Sequence, residues 1–292
     1  MNIFLLKYKL MTSVPIEIFD IIIKYTNNSK FVLPFKNVLS KDTIKHLYKN
    51  KTIDHQSKQG NLMIIKILVS IGKDCTNYAM NSASENGHIE IVRFLHTIGK
   101  NCSNWAMNTA SSKGHLEVVK YLNEIYKHCT KDAMNWASAN GHLEMVKYLH
   151  SIGKNCSENA MDYASEDGHL EVVKYLHEIG KDCTNYAMDY ASMNGHLEVV
   201  KYLNEIGKHC NNSAMNWASK YGHLEIVKYL HDIGKDCSTD SMDYASASGN
   251  LEMVKYLHFI GKNCTEDAIH YASGNGHFEV VKYLHEIGKD LI

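Results

Sequence analysis

Eight cysteines fall at one constant interval. Cys75, Cys102, Cys129, Cys156, Cys183, Cys210, Cys237 and Cys264 are each 27 residues from the next. Nine glycines keep the same interval: Gly60, Gly87, Gly114, Gly141, Gly168, Gly195, Gly222, Gly249 and Gly276. Seven of them precede a histidine (His88, His115, His142, His169, His196, His223, His277), and Asn61 and Asn250 stand in the other two. No insertion breaks the phase. A fixed period of this length means one small supersecondary unit that buries its apolar face only by stacking on its neighbours. A single globular core is therefore not expected, although 45% of the 292 residues are hydrophobic.

One unit is legible in detail. Ser103 and its equivalents Thr76, Thr130, Ser157, Thr184, Asn211, Ser238 and Thr265 are all residues that cap helix N-termini. A short first helix follows, with Met107, Ala110 and Ser111 on one face. Its small residues let the next helix approach closely. Gly114 breaks it. The second helix is predicted from about Leu116 to Ile125, with Val118, Tyr121, Leu122 and Ile125 as the apolar stripe. Glu117, Lys120 and Glu124 take the polar side. A glycine closes most second helices (Gly99, Gly153, Gly180, Gly207, Gly234, Gly261, Gly288), as a left-handed cap position favours. Tyr126 holds that slot in one copy, where a left-handed conformation costs a bulky residue ~1–2 kcal/mol.

The periodic cysteines are expected to be small buried hydrophobes. Equivalent positions in stacked helices lie ~8–10 Å apart, while a disulfide needs Cα atoms within ~7 Å. The same spacing argues against metal sites in the two histidine series, the one after the glycine turn and the one late in the second helix (His96, His150, His177, His231, His258, His285). Zinc needs ligands that converge on one point. Hydrogen bonding at turns and helix ends is the expected role. No cofactor is expected, and no enzymatic motif stands apart from the repeat. Gly274-Asn275-Gly276 follows no strand and carries no dinucleotide meaning. A net charge of −1 and a Lys120-type series running beside a Glu117-type series point to a solvated face. Nucleic acid is not an expected partner. No stretch reaches the ~18 apolar residues of a membrane span, and Met1 to Leu10 lacks a secretory cleavage site. A cytoplasmic location is the expectation.

The string Gly168-His169-Leu170-Glu171-Val172-Val173-Lys174-Tyr175-Leu176, closed by Gly180, resembles the second half of an ankyrin repeat. Ala160-Met161-Asp162-Tyr163-Ala164-Ser165 resembles the first helix. The resemblance implies an all-α, helix-turn-helix repeat solenoid over residues 48–292, in nine units. The family repeat has 33 residues, and this one has 27. The missing six fall where the family builds a β-hairpin finger, so fingers are expected to be shortened or absent. The Thr-Pro-Leu-His signature is absent too, with Tyr78-Ala79-Met80-Asn81 in its place. The Asn-, Lys-, Ile- and Tyr-rich style resembles ankyrin proteins of large DNA viruses that infect amoebae, which would place the chain in the host cytoplasm.

The resemblance implies a binding face on the first helices, which line the concave side in the family. Tyr190 lies roughly 200° around the helix from Met188, so its series points away from the core. That series reads Ser82, Thr109, Trp136, Tyr163, Tyr190, Trp217, Tyr244, Tyr271. One turn earlier the series reads Tyr78, Trp105, Asp132, Asn159, Tyr186, Ser213, Asp240, Asp267. Tyr78, Trp105, Trp136, Tyr163, Tyr186, Tyr190, Trp217, Tyr244 and Tyr271 are thus the candidate partner-binding residues, since buried aromatic anchors dominate protein interfaces. A packing ladder that only stiffens the stack is the other reading. The implied function is a scaffold for a protein partner.

Residues 1–47 lack the period and hold both prolines. Val14-Pro15-Ile16-Glu17-Ile18-Phe19-Asp20-Ile21-Ile22-Ile23 resembles the opening of an F-box. That resemblance implies adaptor contacts by Pro15, Ile18 and Ile22, and a role as the substrate-recognition subunit of a cullin-type ubiquitin ligase. A plain helical cap over the first repeat is the alternative. At the other end Leu291 stands where the next cysteine would fall. The last repeat, with Ala268, Tyr271 and Ala272, is expected to expose apolar surface.

Overall fold

The computed structural model describes residues 44–46, 48–125 and 128–288. Pro15, Ile18, Ile22, Tyr126 and Leu291 lie outside the described residues. Within them the chain is helical, with no strand. The contacts divide it into two compact units. One holds the described residues up to Ala110 together with Glu117–His128. The other holds Ser111–Leu116 and the residues from Cys129 onward.

The first unit contains α1 (Ile53–Lys58), α2 (Leu62–Ser70), α3 (Asn77–Glu85) and α4 (Ile89–Thr97). Most of α5 (Asn104–Ser112) and α6 (Leu116–Glu124) belongs to it as well. Lys73 anchors its start. The ammonium donates to the carbonyls of Tyr48, Lys49 and Lys51 at 2.8, 2.8 and 2.6 Å.

The second unit alternates first helices α7 (Asp132–Ala139), α9 (Asn159–Glu166), α11 (Tyr186–Met193), α13 (Ser213–Lys220), α15 (Asp240–Ala247) and α17 (Glu266–Gly274) with second helices. The second helices are α8 (Leu143–Ser151), α10 (Leu170–Glu178), α12 (Leu197–Glu205), α14 (Leu224–Asp232), α16 (Leu251–Phe259) and α18 (Phe278–Gly288). Consecutive first helices pack much more closely than consecutive second helices. Composition explains it. The face of α9 toward its neighbours carries Ala160, Ala164 and Ser165, all fully buried, and small residues allow close backbone approach. The second helices instead bury the larger Val172, Val173 and Leu176.

The core stripe differs from the sequence expectation. Val119 is fully buried and belongs to it, whereas Ile125 is only half-buried. A 3.6-residue helix buries two adjacent positions when both neighbours crowd it, and Val118-Val119 shows this. Tyr121 is buried at the edge, and its counterparts Tyr175 and Tyr202 are half-buried.

Several turns behave as expected. Thr76, Thr130, Thr184 and Thr265 each accept the N–H two residues on, at 3.1–3.2 Å. Gly99 has φ 77°, which only glycine adopts without strain. The next N–H, of Lys100, then reaches back to the Leu95 carbonyl. From Ile98 to Ser103 the link to the next helix holds no hairpin finger. Gly288 departs from the expected cap, because α18 continues through it. Glycine accepts helical angles as readily as the left-handed ones, so the residue alone does not end a helix. Ala268 and Ala272 are also unlike the expectation. Both are fully buried, because they sit on the face that α17 turns toward α15. The apolar exposure of this repeat lies instead at Tyr271 and Phe278.

Candidate protein-binding face

Along each first helix, four registers spaced i, i+4, i+7 and i+8 share the face turned from the core. In α13 they are Ser213, Trp217, Lys220 and Tyr221. Side chains on these registers are exposed or half-buried throughout the second unit. Tyr186 is 57% exposed, Tyr271 47% and Tyr163 37%, while Trp136, Tyr190, Trp217 and Tyr244 are half-buried. In the first unit Tyr78 and Trp105 are exposed by half. Ser82 and Thr109, the small members of the same series, are buried, and the Thr109 hydroxyl donates to the Trp105 carbonyl at 2.8 Å. A short side chain cannot clear the helix surface, so only the aromatic members reach out.

The rings gather into separate groups. Tyr186 stacks on Tyr190, with centroids 5.7 Å apart and planes at 17°. Trp217 stacks on Tyr244 at 6.0 Å and 9°, and on Tyr221 at 6.3 Å and 26°. Tyr271 meets His270 edge-on. Lys220 extends over the middle group. Its Nζ lies 4.9 Å from the Trp217 ring centre, 5.3 Å from Tyr244 and 5.7 Å from Tyr221. The sequence reading missed Tyr221 and takes Lys220 only as a variable position beside the aromatic series. Both stand on variable registers, Lys220 among Glu85, Ser112, Ala139, Glu166, Met193, Ala247 and Gly274, and Tyr221 among asparagines at four of eight positions, where it is the one aromatic.

The face is acidic. Asp132, Glu166, Asp167, Asp240 and Asp267 carry carboxylates on these registers in the second unit, against the one ammonium of Lys220. Burial, with the neighbouring Asp167 charge behind it, pushes the Glu166 carboxyl above its ordinary range.

The histidines are held by structure. In the turn series His142 Nε2 donates to the Ser112 carbonyl at 3.1 Å, and His223 Nε2 to that of Met193 at 3.0 Å. Each ring covers the glycine turn of the repeat before it. The later series meets tyrosines of the next second helix: His96 with Tyr121, His150 with Tyr175, His177 with Tyr202 and His258 with Tyr283, at 2.7–3.0 Å. Asn204 replaces histidine and donates to the Tyr229 hydroxyl at 3.1 Å. Among the described residues no group of three or more His, Cys, Asp or Glu side chains could hold a metal ion. All eight cysteines are free thiols, three buried and five half-buried.

Family models for ankyrin repeats match most of the periodic region. A three-copy model covers residues 53–132, and a many-copy model covers 161–203, 215–258 and 242–285. The chain is an ankyrin-repeat protein. No curated protein matches it. Ankyrin repeats are a non-catalytic interaction fold, and their presence supports a protein-interaction scaffold. No helix among the described residues is long and apolar enough to cross a membrane.

Proposed function

We propose that this ankyrin-repeat chain holds a protein partner on the outward face of its first helices, with Trp136, Tyr163, Tyr186, Tyr190, Trp217, Tyr244 and Tyr271 as anchors and Tyr78 and Trp105 serving the first unit. One observation carries the reading. Large rings stay exposed or half-exposed along this face, whereas Ser82 and Thr109, the small members of their series in the first unit, are buried, and large aromatic side chains left accessible on one face are what interfaces use. The closer packing of first helices supports this face as the concave side. Fingers are absent from the described links, so the helix face is the surface left for binding.

The test is capture from a cell lysate with the full chain. One variant replaces Tyr163, Tyr190 and Tyr244 with alanine; a second replaces Glu171, Glu198 and Glu225 on the second helices. The reading expects partners to be lost with the first variant and kept with the second, both retaining helical circular dichroism. Equal capture by both would make the rings a packing ladder. The F-box resemblance of Val14–Ile23 supports a second reading, a ligase-adaptor contact by Pro15, Ile18 and Ile22. Replacing those three with alanine would then remove ligase subunits from the captured set and leave the other partners.

A further inference from the structure

The Trp217–Tyr221–Tyr244 group is arranged around a cation. The two tyrosines flank the indole, two ring pairs lie nearly parallel, and the Lys220 ammonium sits within 6 Å of all three centroids. That is the range in which a ring face attracts a positive charge. Tyr221 takes a register where asparagine joins two other repeats to the ones before them. On the register of Tyr221, Asn194 donates to the Glu166 carbonyl at 2.9 Å and Asn275 to that of Ala247 at 2.8 Å, tying each repeat to the one before. A tyrosine there cannot make the amide's bond and instead puts a half-exposed ring beside Trp217. An exposed ring set where a bonding amide stands in other repeats is where function is expected.

Charge names the occupant. Along the second unit these registers carry the carboxylates of Asp132, Glu166, Asp167, Asp240 and Asp267, Asp240 in the repeat next to this group, and no ammonium but that of Lys220. Such a surface repels phosphate and collects cations. Lys220 is half-exposed on a flexible stem, so it leaves the rings at little cost, its charge returning to water. A guanidinium is planar and less strongly hydrated, and it stacks on aromatic faces better than an ammonium.

The geometry points to the first-helix face of the second unit as a docking surface for a basic segment of a partner protein, one arginine of which displaces Lys220 from Trp217, Tyr221 and Tyr244. The inference rests on the reading that partners engage this face, and adds the chemistry of the partner.

The test uses the full chain labelled with 5-fluorotryptophan, whose Trp217 resonance is assigned with Trp217→Phe. The probe is a short fluorescent peptide of arginines spaced by glycine and serine, compared with the same peptide carrying citrulline. The arginine peptide binds and moves the Trp217 signal, and the citrulline peptide does neither. Trp217→Ala weakens binding about five- to tenfold, and Trp217→Tyr, which keeps a ring and the stack, recovers most of it. Lys220→Ala tightens binding several-fold, more than Lys131→Ala, which removes an equal charge from the same unit. That gain vanishes in the Trp217→Ala background. Binding that ignores Trp217→Ala and leaves its resonance unmoved overturns the inference, as does absence of binding. In either case partners lost with the triple-alanine variant would still uphold the aromatic face as a docking surface, for ligands of other chemistry.

Discussion

The Asp162 carboxylate accepts two hydrogen bonds from Thr184 in the following repeat, the backbone N–H at 2.9 Å and the hydroxyl at 2.8 Å. Asp54 with Thr76 and Asp243 with Thr265 repeat the arrangement. In three repeats the pair is asparagine with serine instead, Asn81 with Ser103, Asn135 with Ser157 and Asn216 with Ser238. There the amide donates to the hydroxyl and its oxygen accepts the N–H. Each latch fixes the N-terminus of one first helix to the body of the one before. Asp162→Ala leaves two donors without their acceptor and is expected to cost about 1–3 kcal/mol in denaturant unfolding.

The same residue sets a pH dependence. Burial pushes the Asp162 carboxyl above its ordinary value of 3.8, the Thr184 bonds only partly opposing it. A carboxyl raised in the folded state favours folding most while protonated, and that contribution is lost as pH rises through the folded value. Asp162→Asn with Thr184→Ser copies the neutral pair of Asn135 and Ser157. It should gain stability relative to the parent as pH is raised from about 4 to 7, measured by urea midpoints. A constant difference across that range would mean the carboxylate is fully solvated by its partners.

Gly141 serves two purposes at once. Its φ is 71°, and a Cβ there would stand 2.6 Å from the His169 ring of the next repeat. Gly153 has φ 74° and nothing within 4 Å of such an atom. Gly153→Ala therefore carries only the left-handed penalty, ~1–2 kcal/mol. Gly141→Ala adds a steric term of about 1–3 kcal/mol, and His169→Ala in the same chain should remove most of that addition. Equal costs for the two glycines would show that the histidine ring moves aside freely.

Much of this was legible in the sequence. The Cys102-type and Gly114-type intervals place both helices of each repeat, and an aromatic residue at Tyr163 or Tyr190 two positions beyond a core methionine must turn outward. Other features needed coordinates. The latch joins residues 22 apart on different helices, and its only sequence trace is that Asp162 faces Thr184 while Asn135 faces Ser157. Lys220 reads in the sequence only as one member of a freely varying exposed register, because the rings a flexible side chain meets are known only once their positions are. Val119 was missed because the stripe of one isolated helix omits the burial added by a neighbour on either side.

A buried hydroxyl offers a gain. Ser165 is fully buried and its oxygen has no partner among the described residues, whereas Ser219 on the same register donates to the Met215 carbonyl at 2.7 Å. Ser165→Ala should raise the thermal midpoint, consistent with up to about 1 kcal/mol, since an unbonded buried hydroxyl is a liability. Ser219→Ala should not. Equal effects would mean that the Ser165 hydroxyl turns to the equivalent carbonyl in solution.

The cysteine column makes the chain sensitive to alkali rather than to oxidants. Burial is the largest influence on the thiols and raises them, Cys183 to about 11, with the Asp162 carboxylate adding to the effect. Cys210 and Cys264 shift the same way for the same first cause. Thiolate is the reactive form, so native thiols should react with a disulfide reagent at pH 8 far more slowly than the unfolded chain does. The unfolded thiols ionise near the ordinary value of 9. Between that pH and the raised folded values the unfolded chain sheds protons that the folded chain keeps. Stability attributable to the thiols is therefore complete below pH 9 and falls as pH climbs toward 11. Cys183→Ala should flatten that decline. A decline unchanged by the substitution, or native thiols that react as fast as unfolded ones, would show that the column opens to solvent on the timescale of the reaction.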